Sequence, residues 1–258
     1  MTAEQSETYT FAIASFLNAA PLAAFLQDVD PRVRVFSEPP SQLMPHVLNG
    51  LADAAMVPVF DYFNTPGVKM IESIGIASRG NVRSVWLKCH KPLDQIRSVT
   101  PDPASKSSNA LTRILLKKHF ALNVPMQNPP PGETPDATVV IGDRALREPP
   151  GEFGNYDLAG IWTEMTSLPF VYAVWVHLAD NPKAAELSRI AHAAKDAGLA
   201  ALEQLADRYV DQLPLTREEC IEYISELLTY ELGPKEMEGM DLFRAMIAEV
   251  DADGDLTK

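Results

Sequence analysis

Cysteine is nearly absent: the 258 residues hold two, Cys89 and Cys220, far apart and in no Cys-x-x-Cys spacing. The pattern points to reduced, unpaired thiols of a cytosolic protein and away from a disulfide framework. No uninterrupted apolar run approaches membrane-spanning length. Met1 to Thr8 has neither a basic n-region nor an apolar h-region, so no secretory signal is expected. Basic residues are scarce, 22 Lys and Arg against 35 Asp and Glu, for a formal net charge of −13. Such a field repels nucleic acid and anionic membrane surfaces, and neither is expected as a partner. It also repels an anionic small molecule at long range, so a site for one needs locally concentrated donors.

Other absences narrow the chemistry. His46, His90, His119, His177 and His192 form no His-x-x-x-His pair and have no cysteine beside them, so no zinc site is expected. No Gly-x-Gly-x-x-Gly, Walker-type loop or Gly-x-Ser-x-Gly elbow occurs, which leaves nucleotide cofactors and serine hydrolysis unsupported. Asp251-Ala-Asp-Gly-Asp255 starts like a calcium loop but lacks the Glu at its twelfth position, and reads as a solvated tail.

What is present is a core of ordinary size, 46% of residues being hydrophobic. Residues 9–15 read as a strand that runs into a Ser/Asn turn, and 20–27 as a short helix. Strands are expected at 33–37, 54–58, 68–74, 83–88, 98–100, 137–141 and 170–176. Helices are expected from Ser41 to Asn49, ended by Gly50, and from Asn109 to Phe120. The Pro/Gly-rich stretch 125–135 reads as a loop. Beyond residue 180 the pattern turns helical: 182–209, then 221–230 behind a Thr216-Arg-Glu-Glu219 capping box, then 235–250. Alternating strands and helices predict an α/β protein with largely parallel pairing, followed by helical packing.

Four strand-to-turn junctions carry the polar groups: Ser15 to Asn18, Ser78 to Ser84, Asp102 to Ser108, and Gly142 to Arg144. Asn18 offers a donor and an acceptor beside a helical first turn with unpaired N–H groups. Ser105, Ser107 and Ser108 open a clear helix, where backbone N–H groups and the dipole favour a carboxylate or phosphate. Each also has an ordinary reading: a turn residue, an N-cap, or a strand hydroxyl facing water. Arg79, Arg83, Lys106 and Arg144 are candidates to neutralise a dianion, with surface solvation as the alternative.

Taken in order, Ser15-Phe-Leu-Asn-Ala-Ala-Pro-Leu22, Leu48-Asn-Gly-Leu-Ala-Asp-Ala-Ala-Met-Val-Pro58, Ser78-Arg-Gly-Asn-Val-Arg-Ser-Val85, Asp102-Pro-Ala-Ser-Lys-Ser-Ser108 and Ile141-Gly-Asp-Arg-Ala-Leu146 form a set. With Tyr156-Asp-Leu158 through Leu168-Pro-Phe170, the set resembles the chorismate dehydratases of the futalosine route to menaquinone, over roughly residues 9–245. The resemblance implies a two-lobed periplasmic-binding-protein type II-like α/β fold with a ligand cleft between the lobes. Residues 9–90 would form the first part of lobe 1, 91–172 lobe 2, and 173–258 a return to lobe 1 with the C-terminal helices.

It also implies conversion of chorismate to 3-[(1-carboxyvinyl)oxy]benzoate and water in the cytoplasm, with no metal or organic cofactor. The family's catalytic Asn and Ser fall on Asn18 and Ser84. Its carboxylate-binding loop falls on Ser105, Ser107 and Ser108, with Lys106 where Arg is commoner. Gly142, Asp143 and Arg144 are expected to help bind substrate, Asp143 being an alternative general base to the substrate's own carboxylate or, equally, a residue that orients Arg144 or caps the following turn. Asn81 stands where the family usually has Pro. The rival expectation is a non-catalytic cytosolic small-carboxylate-binding protein of the same fold.

Overall fold

The computed structural model describes residues 8–251. The acidic tail read as solvated, and most of the N-terminal stretch, lie outside them. Among the described residues ten strands follow one another: β1 (Tyr9–Ile13), β2 (Val33–Ser37), β3 (Ala54–Pro58), β4 (Val68–Ser78), β5 (Val85–Cys89), β6 (Val99–Thr100), β7 (Ala137–Ile141), β8 (Asn155–Asp157), β9 (Phe170–Leu178) and β10 (Thr229–Glu231). They form two sheets, one of six strands in the order β10-β4-β9-β3-β1-β2 and one of four in the order β6-β7-β5-β8. Each sheet with its helices is one lobe.

The lobe boundaries differ from those expected. The chain crosses to the second sheet before Val85, not at residue 90, because β5 pairs with β7 and β8. It returns before Phe170, because β9 pairs with β3 and β4 from Phe170 onward. Pairing is also mixed instead of largely parallel. Only β1–β2, β1–β3 and β6–β7 run parallel, while β9 re-enters the first sheet antiparallel to both neighbours. Strand direction after an excursion into another lobe leaves no trace in local hydropathy.

Burial explains the strands. Phe11, Ala54, Ala55, Val57, Val174, Trp175 and Val176 are fully buried, as strands covered on both faces require. Phe11 meets Trp175 edge to face at 5.3 Å between ring centres. Each such large side chain contributes about 2–3 kcal/mol by leaving water.

Helix ends follow local chemistry. Thr216 caps Arg217–Glu222 in a reciprocal box with Glu219. Pro40–Leu48 starts one residue ahead of Ser41 and has no side-chain cap, its start set instead by Pro at the first turn. The expected helix 182–209 is two, Ala184–Leu199 and Leu202–Tyr209. The expected helix 221–230 stops early, passing through a π-turn, Tyr223–Leu227, into β10. The last helix, Pro234–Asp251, touches both β9 and the lobe 2 helix Lys106–Lys118, so it spans the lobes where packing on lobe 1 alone was expected. Its Phe243 ring packs against Phe63 and Phe170 of lobe 1 and Trp162 of lobe 2.

Candidate functional site

Between the lobes lies a cleft of about 680 Å³, counted to its mouth. Lobe 1 supplies Phe16, Asn18, Met56, Ile76 and Tyr172 to its wall, and lobe 2 supplies Ser84, Ser105, Ser108 and Gly142. No Lys, Arg, His, Asp or Glu is among the lining residues. The lining is apolar with a few neutral donors, the composition of a pre-formed small-molecule site.

Each polar group is placed by its element. Asn18 is half-buried on a single 3₁₀ turn, Leu17–Ala19, at the carboxyl end of β1. Ser105 is the N-cap of Lys106–Lys118: its Oγ accepts the Ser108 N–H at 3.2 Å and donates to Ser108 Oγ at 2.9 Å. Gly142 has φ 60°, and the Phe16 ring across the cleft lies 3.4 Å from where a Cβ would stand. The left-handed φ selects glycine there, while the ring contact leaves room for a Cβ.

Ser84 is 2% exposed, and its Oγ accepts the Tyr223 hydroxyl at 2.7 Å. The turn before it is held by Asp157, whose Oδ2 accepts the N–H groups of Val82 at 2.9 Å and Arg83 at 2.8 Å. Asp157 Oδ1 meanwhile caps Leu158–Thr166 through Ala159 and Gly160. Burial raises the Asp157 carboxyl above its usual range, against the pull of those four N–H donors. Asn81, the departure from the family pattern, lays its Oδ1 1.9 Å from where a Cβ of Gly160 would be. A side chain at 160 would therefore have to displace the Asn81 amide.

Asn18, Ser84, Ser105, Ser108 and Gly142 thus share one cavity. Three expected binding residues do not line it. Ser107 turns away and accepts the Phe60 N–H at 3.1 Å, tying lobe 2 to the helix Val59–Asn64. Asp143 accepts the Leu17 N–H at 3.1 Å. Arg144 pairs with Asp102 at 3.0 Å and with Glu148 at 3.4 Å, within lobe 2. The other cations are likewise engaged or outside: Arg83 pairs with Glu222, Lys106 with Asp61, and Arg79 is exposed. None of these four cations lines the cleft, and Arg83, Lys106 and Arg144 each meet a carboxylate outside it.

Reading the sequence missed Tyr172 and Tyr223. Tyr172 lines the cavity and its hydroxyl lies 2.6 Å from Ser78 Oγ. Burial pushes both phenols above their usual range, and the Tyr223 hydroxyl donates to Ser84 Oγ. Only the alternation of β9 could have pointed Tyr172 inward, and no local signal marked Tyr223. Among the described residues, no group of three or more His, Cys, Asp or Glu could hold a metal ion, and no helix is long and apolar enough to cross a membrane.

Two sheets, two crossings and a neutral cleft define a periplasmic-binding-protein-like fold, and solved structures agree. A protein of Archaeoglobus fulgidus superposes with TM-score 0.68 at 13% identity, over 96% of this chain and 98% of that one. The periplasmic aliphatic sulphonate-binding protein of Escherichia coli gives 0.63 at 13% identity, over 96% and 94%. At such identities the likeness shows the fold alone. Residues 9–249 match the menaquinone biosynthesis family, and the chain belongs to it. A chorismate dehydratase of Thermus thermophilus is 28% identical over 222 residues, 77% of this chain and 80% of that protein.

Proposed function

We propose that the protein is a chorismate dehydratase, a hydro-lyase that converts chorismate to 3-[(1-carboxyvinyl)oxy]benzoate and water in menaquinone biosynthesis. Family membership and the Thermus thermophilus relative support the reading. The observation that carries it is the cleft itself, where Asn18 of one lobe and Ser84 of the other line a single neutral cavity.

The chemistry follows from that lining. The C3 hydrogen of chorismate is vinylogous to the ring carboxylate, so its removal gives a delocalised dienolate. In this reading the substrate's enolpyruvyl carboxylate takes the C3 proton. The electron pair forms the C3–C4 double bond as the C4–O bond breaks, the enolpyruvyl carboxyl returns its proton to the departing hydroxyl, water leaves, and the ring becomes aromatic. Asn18 and Ser84 hold the substrate in the reactive pose, which supplies rate through orientation. Ser105, Ser108 and the N-terminus of Lys106–Lys118 accept a carboxylate, and their fixed dipoles stabilise charge as it spreads into it. The apolar walls exclude water and strengthen each of these bonds.

Incubating the pure protein with chorismate and following the diene absorbance tests this. Loss of the diene with appearance of the carboxyvinyloxybenzoate is expected. Tight binding with the diene intact would make the protein a carboxylate-binding module instead.

A further inference from the structure

The segments that bracket the cleft meet in register: Arg83 pairs with Glu222, and the next residue on each side, Ser84 with Tyr223, pairs too. The guanidinium meets both carboxylate oxygens, at 2.8 and 2.9 Å. One step further in, the Tyr223 O–H donates to Ser84 Oγ at 2.7 Å, with both residues 2% exposed. Arg83 adopts φ 63°, a left-handed conformation costly for a side chain of this size, and is held there by Asp157. Tyr223 itself lies on the π-turn Tyr223–Leu227, a feature frequent where a side chain is re-aimed for function.

A serine hydroxyl has one proton and two lone pairs. One lone pair of Ser84 is taken by Tyr223, and no other described protein group bonds its Oγ. We infer that Tyr223 is a positioning residue: by occupying the Ser84 oxygen it turns the serine proton into the cavity, ready to donate to the bound anion. Donation from the phenol also polarises the serine O–H and makes it the stronger donor. Tyr223 does not touch the ligand. The Arg83–Glu222 pair holds the two backbones at the spacing this bond needs. The inference rests on the dehydratase reading and deepens it.

The test is steady-state kinetics with chorismate on wild type, Y223F, S84A and the double variant. Y223F keeps the ring and its packing but removes the donor. It is expected to lower kcat about 10–100-fold with KM changed less than about twofold, the signature of an interaction made in the transition state. In the S84A background the same substitution is expected to change kcat less than about twofold, since the two act as one unit. Wild-type kcat in Y223F overturns the inference, as does an equal loss in both backgrounds, which marks a merely structural role. If Y223F does not fold, 3-fluorotyrosine at 223 replaces it. This more acidic donor is expected to hold kcat at or above wild type, and a lower kcat overturns the inference. Wild-type protein that leaves chorismate untouched removes the dehydratase reading and the inference together, whereas an active wild type with an indifferent Tyr223 removes the inference alone.

Discussion

The Asp143 carboxylate of lobe 2 accepts the backbone N–H of Leu17 of lobe 1 at 3.1 Å, one residue before Asn18. A residue that sequence alone leaves open as a base thus joins the two lobes by a hydrogen bond. It bonds the turn that carries Asn18, and it is not among the residues that line the cavity.

The first prediction separates these roles. D143N keeps an oxygen that can accept the Leu17 N–H, so turnover is expected to survive. D143A loses the acceptor, and its kcat is expected to fall. Loss of turnover in D143N with binding intact would make Asp143 the base.

The pH dependence of stability gives the same residue a second readout. Burial raises the Asp143 carboxyl above its usual range, more than the Leu17 N–H and Arg147 lower it. Between the unfolded value and the raised folded value, the native state binds more protons than the unfolded state. This group's contribution to stability therefore falls as pH rises from about 4 through that window. Denaturant titrations across the acid range are expected to show wild type losing stability relative to D143N over that interval.

At the cleft, N18A and S84A are each expected to lower kcat about 10²–10³-fold, as removal of one preorganised donor does elsewhere. Chorismate affinity, measured by calorimetry, is expected to change far less. Full turnover in both variants would remove these residues from the mechanism.

Asp157 joins the crossing to the helix behind it through four backbone N–H groups. Substituting Asn leaves one acceptor oxygen and sets an NH₂ against donors. D157N is expected to destabilise the fold by about 3 kcal/mol, with Tm lower by roughly 5–10 °C in a calorimetric scan. Because Asp157 also holds Arg83, turnover is expected to drop even where the fold persists.

The two thiols provide a control. Cys89 is buried and its thiol is pushed up to about 11, and burial raises Cys220 as well. Alkylation with iodoacetamide at pH 8 is expected to label neither in the folded protein and both after denaturation, by mass spectrometry.

How much of this was legible depended on whether a feature is local. The Thr216 box and the Ser105 cap satisfy N–H groups three residues away; the box stands where the sequence placed it, while the Ser105 cap starts the helix at Lys106, three residues before the expected Asn109. Asn18 and Ser84 were named by motif, and the cavity brings them together. That Ser107, Asp143 and Arg144 do not line the cavity was not legible, because the groups that engage them, Phe60, Leu17 and Asp102, lie 47, 126 and 42 residues distant. The strand Asn155–Asp157 has three residues, too few for alternation to show. Tyr223 sat in what looked like an ordinary amphipathic helix, and a π-turn has no hydropathy signature.

The place of β9 has a consequence for how the polypeptide is made. A ribosome that has finished β8 has delivered every strand of the four-stranded sheet, while the six-stranded one still has a gap between β3 and β4. Lobe 2 is therefore complete first although lobe 1 was begun first. During synthesis the N-terminal strands wait, unpaired along one edge, for a partner that emerges only after residue 170.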